Sequence, residues 1–246
     1  MRLRRALVLI GCLSAAPHAS HAQVPARRPA ATTPATPATP APAAKPAPAP
    51  PQDAARRRAL YWPTDPFWAT RAPDTVVVDI ETSRGPITVV LKRAWAPHGV
   101  DRAYNLARAG YFDDSRIYRV VDGFVAQFGL AGDPGIAEVW SNEKVASDPR
   151  RTSNVRGTVT FAQSSPDDRT TNLFINLSDN PRLDALGFAP IGRVVKGMAA
   201  ADRFYAGYGE RPMAAANTKR LYGEANAFLD AKYPKLDRIR KITVRP

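Results

Sequence analysis

The sequence predicts a mainly β protein with helices, in which a closed antiparallel β-barrel is capped by two or more helices. Three observations support this fold class. Short runs rich in Val, Ile, Thr and Phe are separated by Gly, Pro, Asp and Ser, a pattern typical of strands joined by turns. Two longer segments carry apolar residues at helical spacing. Because short antiparallel strands need partners along both edges of their sheet, we expect the sheet to close on itself.

The first and last predicted strands belong to one domain. Residues 75–82 and 87–92 alternate apolar and polar side chains, and residues 83–86 (SRGP) between them favour a turn. The segment 238–245 (RIRKITVR) repeats the strand pattern. We expect this last strand to pair with the first hairpin, which makes 75–246 a single domain.

The helices and the remaining strands lie between these two ends. A helix is predicted over 100–109, where apolar residues keep helical spacing up to Gly110, and another over about 220–232. Residues 117–121 and 124–128 flank Asp-Gly, a dipeptide typical of hairpins. The other short β-rich runs are 158–162, 173–177 and 191–195.

The first 22 residues have the pattern of an export signal. Three arginines precede an apolar run over 6–13, and the small residues Ser20 and Ala22 fit a cleavage site before Gln23. Residues 1–22 therefore predict a signal peptide and a periplasmic or secreted protein. The alternative is a lipoprotein anchored to the envelope through Cys12, because residues 9–12 (LIGC) resemble a lipobox. We favour soluble export, since the apolar stretch before Cys12 is short for a lipoprotein signal.

A linker rich in Pro and Ala is predicted over residues 23–57. Within 24–52, 10 of 29 residues are Pro and 10 are Ala. Proline fixes φ and removes backbone donors, so we interpret this stretch as a disordered, extended spacer. Binding of the linker as a polyproline II ligand is the alternative. An aromatic lead-in segment, 58–74, follows, and we expect its aromatic side chains to pack on the domain.

The net charge of +13 does not predict a nucleic-acid partner. Residues 75–204 carry 16 basic and 15 acidic residues, so the excess charge lies in the flanking segments. Cleavage after residue 22 would leave no cysteine, and His98 would be the only histidine. Disulfides, cysteine nucleophiles and Cys/His metal sites would then be excluded. We interpret His98 as an exposed turn residue. The sequence predicts no metal, no cofactor and no transmembrane span.

Four sequence blocks follow one another in the central domain. The most specific is 117–127 (IYRVVDGFVAQ), in which Arg119, Phe124 and Gln127 keep a characteristic spacing. The other blocks are 157–163 (GTVTFAQ), 170–175 (TTNLFI) and 183–194 (LDALGFAPIGRV). In this order the blocks resemble the cyclophilin family of peptidyl-prolyl cis-trans isomerases.

The resemblance implies an enzyme that accelerates rotation of X–Pro bonds in exported or unfolded polypeptides, without a cofactor. It implies three catalytic residues, Arg119, Gln127 and Asn172. It implies these substrate-binding residues: Phe124, Val125, Ala162, Gln163, Phe174, Leu183 and Phe188. The partners would be Pro-containing unfolded or extended polypeptides, and we expect a monomer.

The chemistry of this reaction suits a site without His or Cys. An X–Pro bond has a rotation barrier of about 18–20 kcal/mol, and its isomerisation needs neither proton abstraction nor a covalent intermediate. A guanidinium can stabilise the twisted amide through its hydrogen bonds, and Arg119 is predicted to do so over an apolar proline pocket. The alternative for Arg119 is a structural ion pair with Asp122 or Asp133.

The sequence also departs from the family pattern. Asn172 stands where the family has Gln, and Arg182 stands where many members have Trp or Phe. Residues 205–232 exceed the family core, and their sequence predicts no function beyond an extra helical segment. The alternative function is therefore a cyclophilin-like module that binds Pro-containing segments with little or no turnover.

Overall fold

The computed structural model describes residues 51–246. The predicted signal peptide, Cys12 and the linker as far as residue 50 lie outside the described residues. Within the described part of the chain, no helix is both long enough and apolar enough to cross a membrane.

The described chain forms one sheet of eight strands, and every pair of neighbouring strands is antiparallel. The strands are β1 (Thr75–Thr82), β2 (Gly85–Lys92), β3 (Arg119–Val121), β4 (Val125–Phe128), β5 (Thr158–Phe161), β6 (Leu173–Asn176), β7 (Pro190–Lys196) and β8 (Ile239–Val244). Their order across the sheet is β3-β4-β6-β5-β7-β2-β1-β8. The last strand pairs with β1, as the sequence predicted.

The sheet is an open half-barrel, so the prediction of a closed barrel was wrong. Strands β3 and β8 are its two edges. The chain before β3 and the chain around the start of β8 are joined only by an isolated bridge between Arg116 and Arg238 and a few backbone hydrogen bonds, such as those from Ile117 N to Asp237 O at 2.8 Å and from Ile239 N to Ser115 O at 2.9 Å; they form no continuous ladder. Asp114 has a φ of 55°, which interrupts the extended backbone that a longer ladder would need.

Seven α-helices and three short 3₁₀ turns surround the sheet of the described chain. The helices are α1 (Pro51–Tyr61), α2 (Pro97–Ala109), α3 (Pro134–Trp140), α4 (Pro181–Ala185), α5 (Met198–Ala201), α6 (Thr218–Gly223) and α7 (Asn226–Lys232); the 3₁₀ turns are Pro66–Ala69, Arg211–Met213 and Ala215–Asn217. Helix α2 covers the predicted helix 100–109. The single helix predicted over 220–232 is divided into α6 and α7, because Ala225 has a φ of 45°.

Helix α1 differs from the sequence prediction for the linker. The linker was predicted to extend to residue 57, but α1 includes its last seven residues, 51–57. The reason lies in the composition: after Pro51 the segment contains no proline and is rich in Ala and Arg, which favour helices.

The aromatic lead-in segment packs on the domain in part. The Trp68 ring lies 4.5 Å from the Trp140 ring of α3, and the Trp140 indole donates a hydrogen bond of 2.8 Å to Leu60 O. Tyr61 and Trp62, in contrast, are exposed. His98 is exposed too, but it lies in the first turn of α2 rather than in the turn before that helix.

Candidate active site

The antiparallel register of β3 and β4 places Arg119 directly opposite Gln127. The Arg119 guanidinium donates a hydrogen bond of 3.2 Å to the Gln127 Oε1 atom, and its side chain is 18% exposed. Within the described chain, the carboxylate that pairs with Arg119 is Glu210. The alternative of an ion pair with Asp122 or Asp133 was therefore wrong about the partner.

A chain of hydrogen bonds continues from Gln127 to Asn172 through Tyr118. The Gln127 amide donates to the Tyr118 hydroxyl at 3.1 Å, and that hydroxyl donates to the Asn172 Oδ1 atom at 2.7 Å. Burial raises the pKa of Tyr118, so the phenol stays neutral and remains a donor. The three predicted catalytic residues thus belong to one chain of hydrogen bonds, which we call the polar chain, but Asn172 joins it only through Tyr118.

Tyr118 is a residue that sequence reasoning missed. It precedes Arg119 in the block 117–127, at a position where the family pattern accepts any residue. Such a pattern gives no indication that the hydroxyl is used. The only sequence signal for Tyr118 is an aromatic residue directly before an arginine in a predicted strand.

Six of the seven predicted substrate-binding residues pack together in a small apolar cluster, separate from the main core. Its members are the buried Val125, Phe174 and Leu183, with Phe124, Ala162 and Phe188 packed against them. The Phe174 and Phe188 rings are 5.9 Å apart in an edge-to-face arrangement. We refer to this group as the apolar cluster.

The apolar cluster meets the polar chain at the sheet. Gln127 pairs in register with Phe174 of β6, so a polar and an apolar site residue are direct neighbours. The seventh predicted residue, Gln163, follows β5 and lies outside the cluster. The Ala162 N–H donates to Asn172 O at 2.9 Å, so that donor is already used within the protein.

Buried amide side chains support the apolar cluster from behind. Asn154 donates hydrogen bonds to Phe188 O at 2.9 Å and to Asp184 at 2.8 Å. Asn180 donates to Phe124 O at 3.0 Å and to the Asn176 side chain at 2.7 Å. These hydrogen bonds fix the backbone of Phe188 and Phe124. Each buried amide would lose several hydrogen bonds if it moved, and unsatisfied buried groups are costly.

The short helix α4 positions Leu183 and Arg182. Burial opposes ionisation of Asp184 in this helix, but hydrogen bonds from Ser153 and Asn154 outweigh it and lower the pKa of Asp184. The Arg182 guanidinium lies 4.3 Å from the centre of the Phe124 ring. A cation thus covers one face of a cluster aromatic at the position where the sequence departs from the family pattern.

Comparison with solved structures assigns the fold. The structure resembles a cyclophilin type peptidyl-prolyl cis-trans isomerase from Cryptosporidium parvum with a TM-score of 0.53 and 16% identity, covering 70% of this chain and 98% of that chain. A cyclophilin from Hirschia baltica gives a TM-score of 0.52 at 15% identity, over 71% of this chain and 75% of that chain. The half-barrel therefore belongs to the cyclophilin fold class.

Comparison of sequences identifies the family. Residues 77–220 match the family described as cyclophilin type peptidyl-prolyl cis-trans isomerase/CLD. Peptidyl-prolyl cis-trans isomerase A of Dickeya dadantii is 32% identical over 142 residues, which cover 55% of this chain and 74% of that protein. Isomerase B of Escherichia coli is 27% identical, over 52% of this chain and 82% of that protein. The chain belongs to the cyclophilin-type peptidyl-prolyl cis-trans isomerases, which confirms the resemblance seen in the sequence blocks.

Proposed function

We propose that this isomerase acts on X–Pro bonds of exported or unfolded polypeptides and that Arg119 stabilises the twisted amide. One observation carries the proposal: Arg119 lies beside the apolar cluster, with its guanidinium carbon 5.6 Å from the centre of the Phe124 ring. A cation that can donate hydrogen bonds therefore stands next to a group of side chains suited to a proline ring.

The chemistry follows from the electronic change on rotation. Twisting the amide removes its resonance and returns a lone pair to the prolyl nitrogen. A guanidinium hydrogen bond to that nitrogen is stronger in the twisted state than in the planar one, while a hydrogen bond to an adjacent carbonyl holds the substrate in place. Gln127 orients the guanidinium through the 3.2 Å hydrogen bond. An acceleration of 10⁵-fold would require about 7 kcal/mol of such differential stabilisation.

The remaining predicted residues hold the substrate. In this proposal the apolar cluster receives the proline ring, and the Ala162 carbonyl and the Gln163 backbone anchor the preceding residue, because the Ala162 N–H already bonds to Asn172. A related Cryptosporidium parvum cyclophilin structure, with a TM-score of 0.51 and 16% identity, was determined in the presence of the dipeptide Ala-Pro. A small Pro-containing ligand is thus a suitable first substrate to test.

The test is refolding of a protein limited by proline isomerisation, together with isomerisation of an Ala-Pro-containing peptide. We expect the purified protein to accelerate both reactions and Arg119→Ala to lose at least about tenfold in kcat/KM, as removal of one transition-state donor does. Arg193→Ala, which removes an exposed arginine from β7, is the matched control and should keep full activity. Full activity of Arg119→Ala would reject the proposed role of Arg119.

We also infer that the protein is exported and cleaved before Gln23. The support is the arrangement of positive, apolar and small residues in 1–22. Expression of the full chain, followed by cell fractionation and amino-terminal sequencing, should yield a soluble product that begins at Gln23. Cys12→Ala should not change this result, whereas loss of processing in that variant would support the lipoprotein alternative.

A further inference from the structure

The segment 205–232 contributes a side chain to the candidate active site. Glu210, immediately before the 3₁₀ turn Arg211–Met213, forms a hydrogen-bonded ion pair with Arg119. Arg119 therefore has two partners, since Gln127 accepts from its other terminal nitrogen. The family match over 77–220 includes the first part of this segment, with Glu210, and ends before residues 221–232.

The backbone around Glu210 is firmly held. Asn217 is buried and donates to Arg211 O at 2.9 Å and to the Tyr233 hydroxyl at 3.1 Å. The Tyr208 ring packs edge-to-face on Tyr233 at 5.1 Å. The carboxylate is thus presented by an ordered segment, while its own side chain remains 58% exposed.

Glu210 accepts a hydrogen bond from the Arg119 guanidinium, which is the donor that the proposed reaction requires. A carboxylate accepts a hydrogen bond from a guanidinium more strongly than a neutral carbonyl oxygen does, so substrate and Glu210 compete for Arg119. Because Glu210 is largely exposed, its released carboxylate returns to water at little cost. The contact is strong enough to compete and weak enough to be displaced.

We propose that Glu210 is a displaceable competitor of the substrate, which pairs with Arg119 in the free enzyme and yields its place to the substrate carbonyl. This inference rests on the proposed function of Arg119. It assigns the segment 205–232 a role in setting substrate affinity. Exposed ion pairs of this kind contribute little, so removal of the carboxylate should change affinity by about two- to fivefold.

The test compares Glu210→Gln and Glu210→Ala with the unchanged protein in the peptide assay. We expect KM to fall about two- to fivefold in Glu210→Ala, with a smaller fall in Glu210→Gln and with kcat nearly unchanged, because the competition is relieved on binding. Salt at about 0.5 M should narrow the difference by screening the pair. Glu224→Gln is the matched control, since Glu224 lies in the same segment and forms an exposed ion pair with Arg220 at 2.7 Å.

The same peptide is also titrated in a direct binding experiment, which decides the matter if turnover is slow. Tighter binding in Glu210→Ala, absent when Arg119→Ala is the background, supports the inference. A raised KM, a lower kcat or unchanged binding in Glu210→Ala overturns it, because Glu210 would then position Arg119 or serve only structure. Arg119→Ala separates the two proposals: if it abolishes activity while Glu210 substitutions have no effect, only this inference fails.

Discussion

At the scale of single residues, the role proposed for Arg119 depends on how its guanidinium is oriented. Arg119 is held by Gln127, and Gln127 is held in turn by the Tyr118 hydroxyl. Tyr118 is buried, and it connects Gln127 with Asn172. Tyr118 thus holds Gln127, which in turn holds the residue that is proposed to contact the substrate.

Replacement of Tyr118 by phenylalanine tests this dependence. Tyr118→Phe keeps the ring but leaves the Gln127 amide and the Asn172 oxygen without their shared partner. We expect the free energy of unfolding to fall by about 1–3 kcal/mol, the usual cost of an unsatisfied buried group, and kcat/KM to fall several-fold. Urea unfolding and the peptide assay measure these changes. Tyr104→Phe on α2 is the control, and equal effects in both variants would contradict the assigned role.

The same residues show what the sequence could and could not predict about the site. Arg119, Phe124 and Gln127 were predicted from the family resemblance, whose pattern fixes their spacing within one hairpin. Phe174 and Leu183 came from the same resemblance, but no local spacing relates them to the β3–β4 hairpin, since only folding brings them to Val125. Tyr118 and Glu210 were missed because their roles depend on side-chain hydrogen bonds over distances that no local pattern encodes.

At the scale of secondary-structure elements, local patterns predicted the strands well and their closure poorly. Alternation identifies a strand such as β1 from its own residues, but whether β3 meets β8 depends on the irregular chain before each of them. The prediction of a single helix over 220–232 was wrong for a similar reason. Ala225, with a φ of 45°, divides it into α6 and α7, and the surroundings of this residue set its conformation. The short α4 has too few residues to show helical periodicity.

The start of α2 depends on an ion pair that is almost completely buried. Asp148 accepts hydrogen bonds of 2.9 Å from the backbone N–H groups of His98 and Gly99. It also pairs with Arg169 at 3.0 Å, and the two side chains are 0% and 2% exposed. The pair thus satisfies helix donors that would otherwise be buried without partners.

Breaking this pair should destabilise the domain strongly. Asp148→Asn leaves the buried Arg169 charge uncompensated, and we expect a loss of about 3–5 kcal/mol in the free energy of unfolding. Thermal and urea unfolding measure the loss. Removal of the charge in the double variant Asp148→Asn, Arg169→Met should restore part of it. A single variant as stable as the unchanged protein would show that the pair is not a source of stability.

At the scale of the whole molecule, aspartates far apart in the fold share one response to acid. Hydrogen bonds from Arg245 lower the pKa of Asp79, although burial opposes this, and hydrogen bonds from Arg116 lower the pKa of Asp230. The pKa of Asp184 is lowered as well. Asp113 is the exception, because burial raises its pKa. These three carboxylates, which are among several whose pKa is lowered, lie on β1, α7 and α4, so acid acts on the whole domain rather than on one site.

The sign of the effect follows from linkage. A carboxylate with a lowered folded-state pKa stabilises the fold above its unfolded pKa of about 3.9, and this stability is lost as pH falls through the lower folded-state value. Asp113 acts in the opposite direction and offsets part of the loss. We therefore expect urea unfolding, followed by tryptophan fluorescence, to give a nearly constant free energy between about pH 7 and pH 5 and a decline below about pH 4.

Substitution of one carboxylate identifies which groups produce the decline. Asp184→Asn removes a titrating group whose charged form is stabilised by Ser153 and Asn154, so it should lower stability at neutral pH and flatten the decline in acid. Asp122→Asn removes an exposed carboxylate from the turn between β3 and β4 and should leave the profile unchanged. An equally steep decline in Asp184→Asn would locate the acid sensitivity elsewhere, and Asp230→Asn would then separate the contribution of the Arg116 pair from that of α4.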